Sequence, residues 1–259
     1  MNHLSPESIY EHLKIQNISV ESYDVITSTN TVLKDRGRKG APHGLVIAAA
    51  EQTAGRGRMG RSFFSPADTG IYFSVLLRPS LIPQDCQLIT TAAAVACARV
   101  LEKIAGEPAQ IKWVNDIYIK GKKVCGILTE ASISPNGGLD FAVLGIGINI
   151  IPPKNNFPAD ITDKAGSILS NCTHDLRGKI IGEILNEFFG LYETLESRAY
   201  FNEYRIRSLL DGKSVEVLRN DSILPATALF IDDELRLVVE FPDGTIEHLY
   251  TGDVSIKKL

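Results

Sequence analysis

Two nearly continuous apolar runs, residues 44–51 and 71–77, enclose a segment in which glycine and arginine alternate: Gly55-Arg56-Gly57-Arg58-Met59-Gly60-Arg61. Apolar runs of this length, bounded by turn residues, read as strands buried on both faces. The segment between them formally matches GxGxxG. A dinucleotide-binding fingerprint, however, needs a helix to open at the glycines, so that its N-terminus meets the pyrophosphate. Here Ser62-Phe63-Phe64-Ser65-Pro66 follows, and then the next strand. The topology is strand–loop–strand, which excludes the Rossmann reading. Glycines let backbone N–H groups approach a ligand closely, and guanidinium forks bind phosphate or carboxylate. A flexible, solvated basic loop is the alternative use of the same residues.

Around this centre the chain reads as a mixture of helices and strands. Ser5-Pro6-Glu7 has the form of an N-cap, a proline at the first helical position and an acidic first turn, predicting a helix to about Lys14. Residues 23–27 read as a strand, and Ser28 as the N-cap of a helix ending near Gly37. Residues 84–105 form the clearest helix, with Leu88, Ile89, Ala92, Val95, Ala96, Val100, Leu101 and Ile104 on the 3, 4, 7 spacing. Strands are expected at 111–114, 117–119, 124–130 and 141–150, with turns at Gly121 and at Asn136-Gly137-Gly138. A proline-rich loop covers 151–160. A helical stripe follows through Ile180, Ile184, Leu185, Phe188, Phe189, Leu191 and Leu195. After Asp211-Gly212 the texture changes to short alternating runs separated by Asn220-Asp221, Asp232-Asp233 and Pro242-Asp243-Gly244, the pattern of a small antiparallel β unit. Two domains are expected, 1–210 and 211–259.

Composition narrows the function classes. The 27 basic and 31 acidic residues give a net charge of −4, with no basic excess of the kind generic nucleic-acid binding uses. The longest apolar runs fall far short of the roughly 18 residues that suggest a membrane span. The first residues lack a basic region followed by an apolar one, so no signal peptide is expected. The four cysteines, Cys86, Cys97, Cys125 and Cys172, show no CxxC spacing, which argues for reduced thiols in a cytoplasmic protein rather than a zinc or redox site.

Three further segments carry polar residues in unusual places. Lys112-Trp113-Val114-Asn115-Asp116 leads into Gly121-Lys122-Lys123-Val124-Cys125-Gly126-Ile127-Leu128. An ordinary hairpin would give Asn115-Asp116 a turn role. Lys123 opens an apolar strand, where its charge needs a partner. A bound anion would provide one; without it the side chain is expected to reach for the surface. Gly145-Ile146-Gly147-Ile148-Asn149 places two glycines at alternate positions of a strand, a sign of close approach by a ligand or another backbone, or of close sheet-to-helix packing. Thr27-Ser28-Thr29-Asn30 sits at a strand-to-helix junction, suited to capping or to binding a polar group. There is no GxSxG elbow, and Gly212-Lys213-Ser214 lacks the first glycine of a P-loop. With Arg, Lys, Asn and amides prominent and few candidate bases, the chemistry points to binding and stabilising phosphate rather than to hydrolysis.

Taken together, Ser28-Thr29-Asn30, Gln52, the 55–61 segment, KWVND at 112–116, GKKVCGIL at 121–128 and GIGIN at 145–149 resemble the biotin protein ligases, in family order and across nearly the whole chain. The resemblance implies an α+β fold. Its central mixed sheet, flanked by helices, would resemble the class II aminoacyl-tRNA synthetases, and a small C-terminal SH3-like β-barrel would follow. It implies formation of biotinyl-5′-AMP from biotin and ATP with Mg²⁺, and transfer of biotin to one lysine of a biotin carboxyl carrier domain. By motif, Ser28, Thr29, Asn30, Gln52, Gly55, Arg56 and Gly57 would take biotin, with Gly145 and Gly147 making room. Arg58 and Lys123 would face the biotin carboxylate and the α-phosphate. Arg61, Phe63, Asn115 and Asn149 would serve the nucleotide, and Asp116 the incoming lysine. The metal ligands are left open.

Two departures stand out. Phe63-Phe64 replaces the aromatic usually given by tryptophan, Phe63 being the favoured stacking residue, and Val114 replaces a proline. Only 27 residues precede Ser28, fewer than a small domain needs. A monofunctional ligase is therefore expected, without specific DNA binding or membrane association, and with a homodimer left open. The alternatives are a lipoate or octanoate ligase of the same fold and a non-catalytic small-ligand sensor.

Overall fold

The computed structural model describes residues 4–135, 137–172, 176–219 and 222–250, and the backbone of 253–256. The turn positions Asn136, Asn220 and Asp221, and the last three residues of the chain, lie outside the described residues.

The apolar runs pair into a seven-stranded sheet. Its strands are β1 (Ser19–Ile26), β2 (Leu45–Gln52), β3 (Gly70–Leu77), β4 (Gln110–Lys112), β5 (Asp116–Ile119), β6 (Lys122–Ile133) and β7 (Leu139–Asn149). The spatial order is β1-β2-β3-β7-β6-β5-β4. The β1–β2 pair is parallel and the others antiparallel, so the sheet is mixed as expected. Every residue of β3 is buried, because both of its faces are covered. On one side lies α2 (Thr29–Arg38), whose Leu33 packs with Ile47, Leu76, Phe141 and Val143. On the other lie α3 (Cys86–Ala105) and α4 (Leu176–Tyr192), with α1 (Pro6–Tyr10) and α5 (Phe201–Ile206) packed around them. Thirteen of the twenty residues of α3 are buried, which accounts for a helix apolar around most of its circumference.

Several expected boundaries move, each for a local reason. Ser5 does cap α1, accepting from the Ser8 N–H, but the helix ends at Tyr10 rather than Lys14. The chain there tightens into three-residue turns, and the Asn186 side chain takes the Lys14 N–H and donates to the His12 carbonyl. The strand expected to reach Val114 stops at Lys112, since Trp113, Val114 and Asn115 turn the chain into β5. The Trp113–Val114 peptide bond is cis. The first residues expected in α3 form a 3₁₀ turn, Pro83–Asp85, instead.

The C-terminal runs form a second, five-stranded antiparallel sheet: β8 (Ser214–Arg219), β9 (Ser222–Ile231), β10 (Leu237–Glu240), β11 (Ile246–Leu249) and β12 (Asp253–Ile256), in the order β11-β10-β9-β8-β12. This is the small β unit expected, consistent with an SH3-like domain. Its buried side chains, among them Val215, Val217, Leu237 and Val239, join the same core cluster as α3 and the large sheet. The β9–β10 turn is pinned to the rest of the molecule. The Leu235 carbonyl accepts from Trp113 Nε1 at 2.8 Å and from Gln87 Nε2 at 3.1 Å, and Arg205 donates to the Ile231 carbonyl and to Asp233.

Candidate active site

The site forms on the α2 side of the sheet, where the glycines of β6 and β7 leave the backbone bare. Gly126 and Gly147 are cross-strand partners. The Phe63 ring lies on them both: a methyl group added at Gly147 would stand 2.5 Å from the ring, and one at Gly126 3.1 Å. The same ring meets Tyr72 edge-on, with centroids 6.4 Å apart. Gly145 pairs with Ser74 of β3, and its missing side chain is the space that the Asn30 amide fills. The close approach read from these glycines is thus made by Phe63 and Asn30. Phe64 sits apart, facing Phe157.

The Gly/Arg segment is a narrow ribbon rather than an open loop. Phe63 N–H donates to the Gly55 carbonyl and Gly57 N–H to the Arg61 carbonyl. The reversal at its tip is made by Met59 and Gly60, both in the left-handed region. Gly55 carries no side chain because the Phe63 carbonyl occupies that position. The ribbon projects Arg56 and Arg58 to different partners. Arg56 reaches Glu130 of β6 at 3.2 Å. Arg58 donates to Asn115 Oδ1 at 3.0 Å, and Asn115 in turn donates to the Ile127 carbonyl at 2.7 Å. Asn115 is therefore engaged at both ends of its amide in holding Arg58. Burial lowers the Arg58 guanidinium from its ordinary value, while the neighbouring Asp116 works the other way.

At the start of α2, Ser28 accepts from the Thr31 N–H as the expected N-cap, and Thr29 and Asn30 are buried behind it. Gln52 Oε1 accepts from the Thr29 N–H at 2.9 Å and lies 3.1 Å from Thr29 Oγ1, while its Nε2 donates to Ser65 Oγ. Asn30 donates to the Leu128 carbonyl and to Glu130. Glu130 also receives Lys34 at 2.8 Å. Burial pushes the Glu130 carboxyl up, but hydrogen bonds from Lys34 and Asn30 and the charges of Lys34 and Arg56 outweigh it, leaving the group below the usual glutamate value.

Lys123 does not run to the surface. Its Nζ lies 2.7 Å from Asp116 Oδ1, because β5 and β6 are adjacent and both side chains rise from the same end of the pair. The contact is an ion pair rather than a directed hydrogen bond, since Asp116 Oδ1 is buried and accepts none from the described residues. Lys112 shares the neighbourhood without a hydrogen-bond or ion-pair partner among them. Burial lowers its ammonium from the ordinary lysine value, with Asp116 opposing and Lys123 and Lys164 adding to the effect. Burial, with Asp116 adding, pushes the Tyr118 hydroxyl up to about 12.

Two cavities meet at this pair. The smaller, about 130 Å³, is lined by Ser28, Thr29, Asn30, Gln52, Arg56, Gly57, Arg58, Asn115, Gly145 and Gly147 among others. The larger, about 500 Å³, opens between the large sheet and β8–β9, with Lys112, Tyr118, Asn149 and Lys164 on its wall. Arg61, Ser62, Phe63, Asp116 and Lys123 border both. The structure thus brings the sequence-named residues to one place, with Gly55 behind the ribbon and Asn149 in the larger cavity, where it donates to the Gly166 carbonyl. Ser74, Glu130, Tyr118 and Lys164 were not singled out by sequence, and Lys112 was named only as part of its motif, without a role. Ser74 had a signal, as the one serine in an apolar strand; Lys164, in a loop, had none.

This arrangement has relatives. A profile of the Biotin/lipoate A/B protein ligase family matches residues 22–149. The chain is 33% identical over 241 residues to the bifunctional ligase/repressor BirA of Bacillus subtilis, an alignment covering 90% of this chain and 73% of that protein. It is 33% identical to the biotin--[acetyl-CoA-carboxylase] ligase of Mycobacterium tuberculosis, covering 88% of this chain and 85% of that one. Its fold matches the biotin protein ligase of Aquifex aeolicus, solved in complex with biotin and ATP, with a TM-score of 0.70, 24% identity, and 93% and 99% of the two chains covered. No helix among the described residues is long and apolar enough to cross a membrane. By fold, by motif order and by these similarities, the chain belongs to the biotin/lipoate protein ligase family.

Proposed function

We propose that the protein activates biotin with ATP to biotinyl-5′-AMP and transfers the biotinyl group to a lysine of a biotin carboxyl carrier domain. The observation that carries this reading is the position of Lys123 at the junction of two cavities of different character, with Arg58 on the wall of the smaller one. The small polar recess takes the biotin head against Thr29 and Gln52. The larger cavity takes the nucleotide, with the Phe63 ring as a flat face for the base. The biotin carboxylate and the α-phosphate then meet beside the two cations.

Bringing two anions together is the electrostatic problem of the first step. Arg58 and Lys123 offset that repulsion and follow the negative charge as the carboxylate oxygen bonds to phosphorus and pyrophosphate departs. Mg²⁺ would neutralise the phosphates when bound. Such ions are held mainly by the nucleotide with one or two protein carboxylates. Asp116 and Asp160, which line the larger cavity, are the carboxylates that would hold the ion. In the second step the carrier lysine attacks the biotinyl carbonyl as a free amine and AMP leaves. Asp116 would accept a hydrogen bond from that amine. Buried Cys97 and Cys125 held as thiols, and dependence on ATP, fit a cytoplasmic setting.

The test is pyrophosphate release with biotin, lipoate and octanoate supplied separately, followed by mass spectrometry of a carrier domain added with the preferred acid. Release with biotin and a carrier gain of one biotinyl group are expected. Release with lipoate or octanoate alone would overturn the assignment of substrate, and tight biotin binding without release would favour a sensor.

A further inference from the structure

Trp113, Val114 and Asn115 carry the chain from β4 into β5, and each is tied to a different part of the molecule. The Trp113 indole donates to Leu235 in the β9–β10 turn. Asn115 is fixed to β6, where its Nδ2 donates to the Ile127 carbonyl and its own carbonyl accepts from the Ile127 N–H at 3.0 Å. Between them, the Val114 carbonyl accepts at 3.0 Å from the hydroxyl of Tyr204, a residue of α5 far along the chain.

A carbonyl can only accept, so the single phenolic proton is committed to Val114. Tyr204 is fully buried, and its ring lies parallel to that of Phe201, with centroids 6.4 Å apart. Burial pushes its hydroxyl well above the ordinary tyrosine value, with Tyr200 adding and Arg58 opposing, so at neutral pH it remains a donor. The Val114 oxygen and the Asn115 nitrogen belong to one planar peptide. Holding that oxygen sets the direction in which the Asn115 side chain leaves the backbone, and Asn115 Oδ1 is the acceptor that holds Arg58.

We propose that Tyr204 is a positioning residue for Arg58. Through the Val114–Asn115 peptide it keeps the guanidinium where it retains the biotinyl-AMP, although Tyr204 itself lines neither cavity. This rests on the reading of Arg58 as the residue that holds the intermediate. The molecule supplies a control. Tyr200 is also buried and its hydroxyl also donates to a backbone carbonyl at 3.0 Å, but that carbonyl belongs to Leu88, and its other partner is Thr91, both in α3.

Tyr204→Phe and Tyr200→Phe each remove one hydroxyl and keep the ring, and thermal melting confirms that each is folded. Each is loaded with biotin and ATP. The rate at which biotinyl-AMP leaves the protein is measured, together with the label on a carrier domain relative to added albumin. Tyr204→Phe should speed release about three- to tenfold, the worth of one hydrogen bond between neutral groups, and lower the label ratio. Tyr200→Phe should keep the wild-type rate and ratio, whatever its melting temperature. In an Arg58→Gly background Tyr204→Phe should add nothing, because the group it positions is gone. Asn115→Ala, which cuts the next link without touching α5, should leak at least as fast as Tyr204→Phe.

An equal leak from Tyr200→Phe would mean that any loosening around α5 has this effect, and would overturn the proposal. So would an unchanged release rate in Tyr204→Phe, or its full effect repeated in the Arg58→Gly background. Wild-type retention by Asn115→Ala would overturn it even if Tyr204→Phe did not fold. Absence of biotinyl-AMP from the wild type would instead overturn the functional reading itself.

Discussion

In the small recess Thr29, Asn30 and Gln52 are tied to one another's surroundings, to backbone groups, to Ser65 behind them and to the Glu130 carboxylate. In the larger cavity the Lys112 ammonium has no hydrogen-bond or ion-pair partner among the described residues, and Lys164 and Asp160 join it on the wall. The first region is organised before anything binds, and suits recognition of a neutral, shaped head group. The second keeps uncompensated charge, and suits polyphosphate and a developing transition state. Organised neutral networks discriminate by leaving a wrong ligand's partner groups unpaired. Uncompensated charges in a partly dry cavity act on rate, because they are stabilised as negative charge develops.

Substitutions should separate the two regions, and the largest effect is expected where they meet. Lys123→Ala removes the cation facing the reacting anions and leaves Asp116 without its ion pair. Loss of a charge-assisted contact is worth about 1.5–3 kcal/mol, so adenylation should fall by roughly ten- to a hundredfold or more in a folded protein. Near-normal pyrophosphate release by that variant would break the comparison. Arg58→Gly should come next. It frees Asn115 and loosens the ribbon's hold on the anionic intermediate, so biotinyl-AMP should escape and label bystander proteins. The ratio of label on the carrier domain to label on added albumin measures this; an unchanged ratio would count against it.

Phe63→Ala tests the nucleotide side alone. Base–aromatic stacking is worth about 1–3 kcal/mol, so the ATP requirement should rise about tenfold with biotin binding little changed. Gly147→Ala should reproduce part of that effect, because a methyl group there meets the ring at 2.5 Å. A fall in melting temperature with unchanged ATP dependence would make Phe63 a packing residue only. The smallest effect is expected from Glu130. Its folded carboxyl sits below the ordinary value, so the stability it contributes is present above the usual glutamate range and is lost as pH falls through the lowered folded value. Melting of the wild type and Glu130→Gln should differ at pH 7 and converge only as the pH falls below the ordinary glutamate value, about 4.3. A gap that persists in acid would mean that shape, not charge, holds the Arg56 end of the ribbon.

Much of this was legible in the sequence. The strand–loop–strand order around 55–61 followed from apolar run lengths, and the junction at Ser28 from its capping pattern. The resemblance then gathered distant motifs into one site. Other features could not be read there. The partner of Lys123 depends on β5 and β6 lying side by side, a tertiary fact with no local signature. The glycines of β7 correctly signalled close approach, but only the fold shows that Asn30 and Phe63 make it. Asn115 looked like a nucleotide ligand because its motif says so, while its amide is taken up by Arg58 and Ile127. Ser74 was visible as a hydroxyl among apolar neighbours, yet its contacts with Thr29 and Asn30 appear only when β3 packs against the start of α2.

The Trp113 indole is the chain's one tryptophan, it is 4% exposed, and its N–H is held by the Leu235 carbonyl in the β9–β10 turn. The intrinsic fluorescence of the protein is therefore a single-site optical reporter of the seam between the two sheets. Selective excitation of the indole would register undocking of the C-terminal sheet as a red shift, at denaturant concentrations where far-ultraviolet dichroism still reports an intact large sheet. The order of those two transitions can be read without any label.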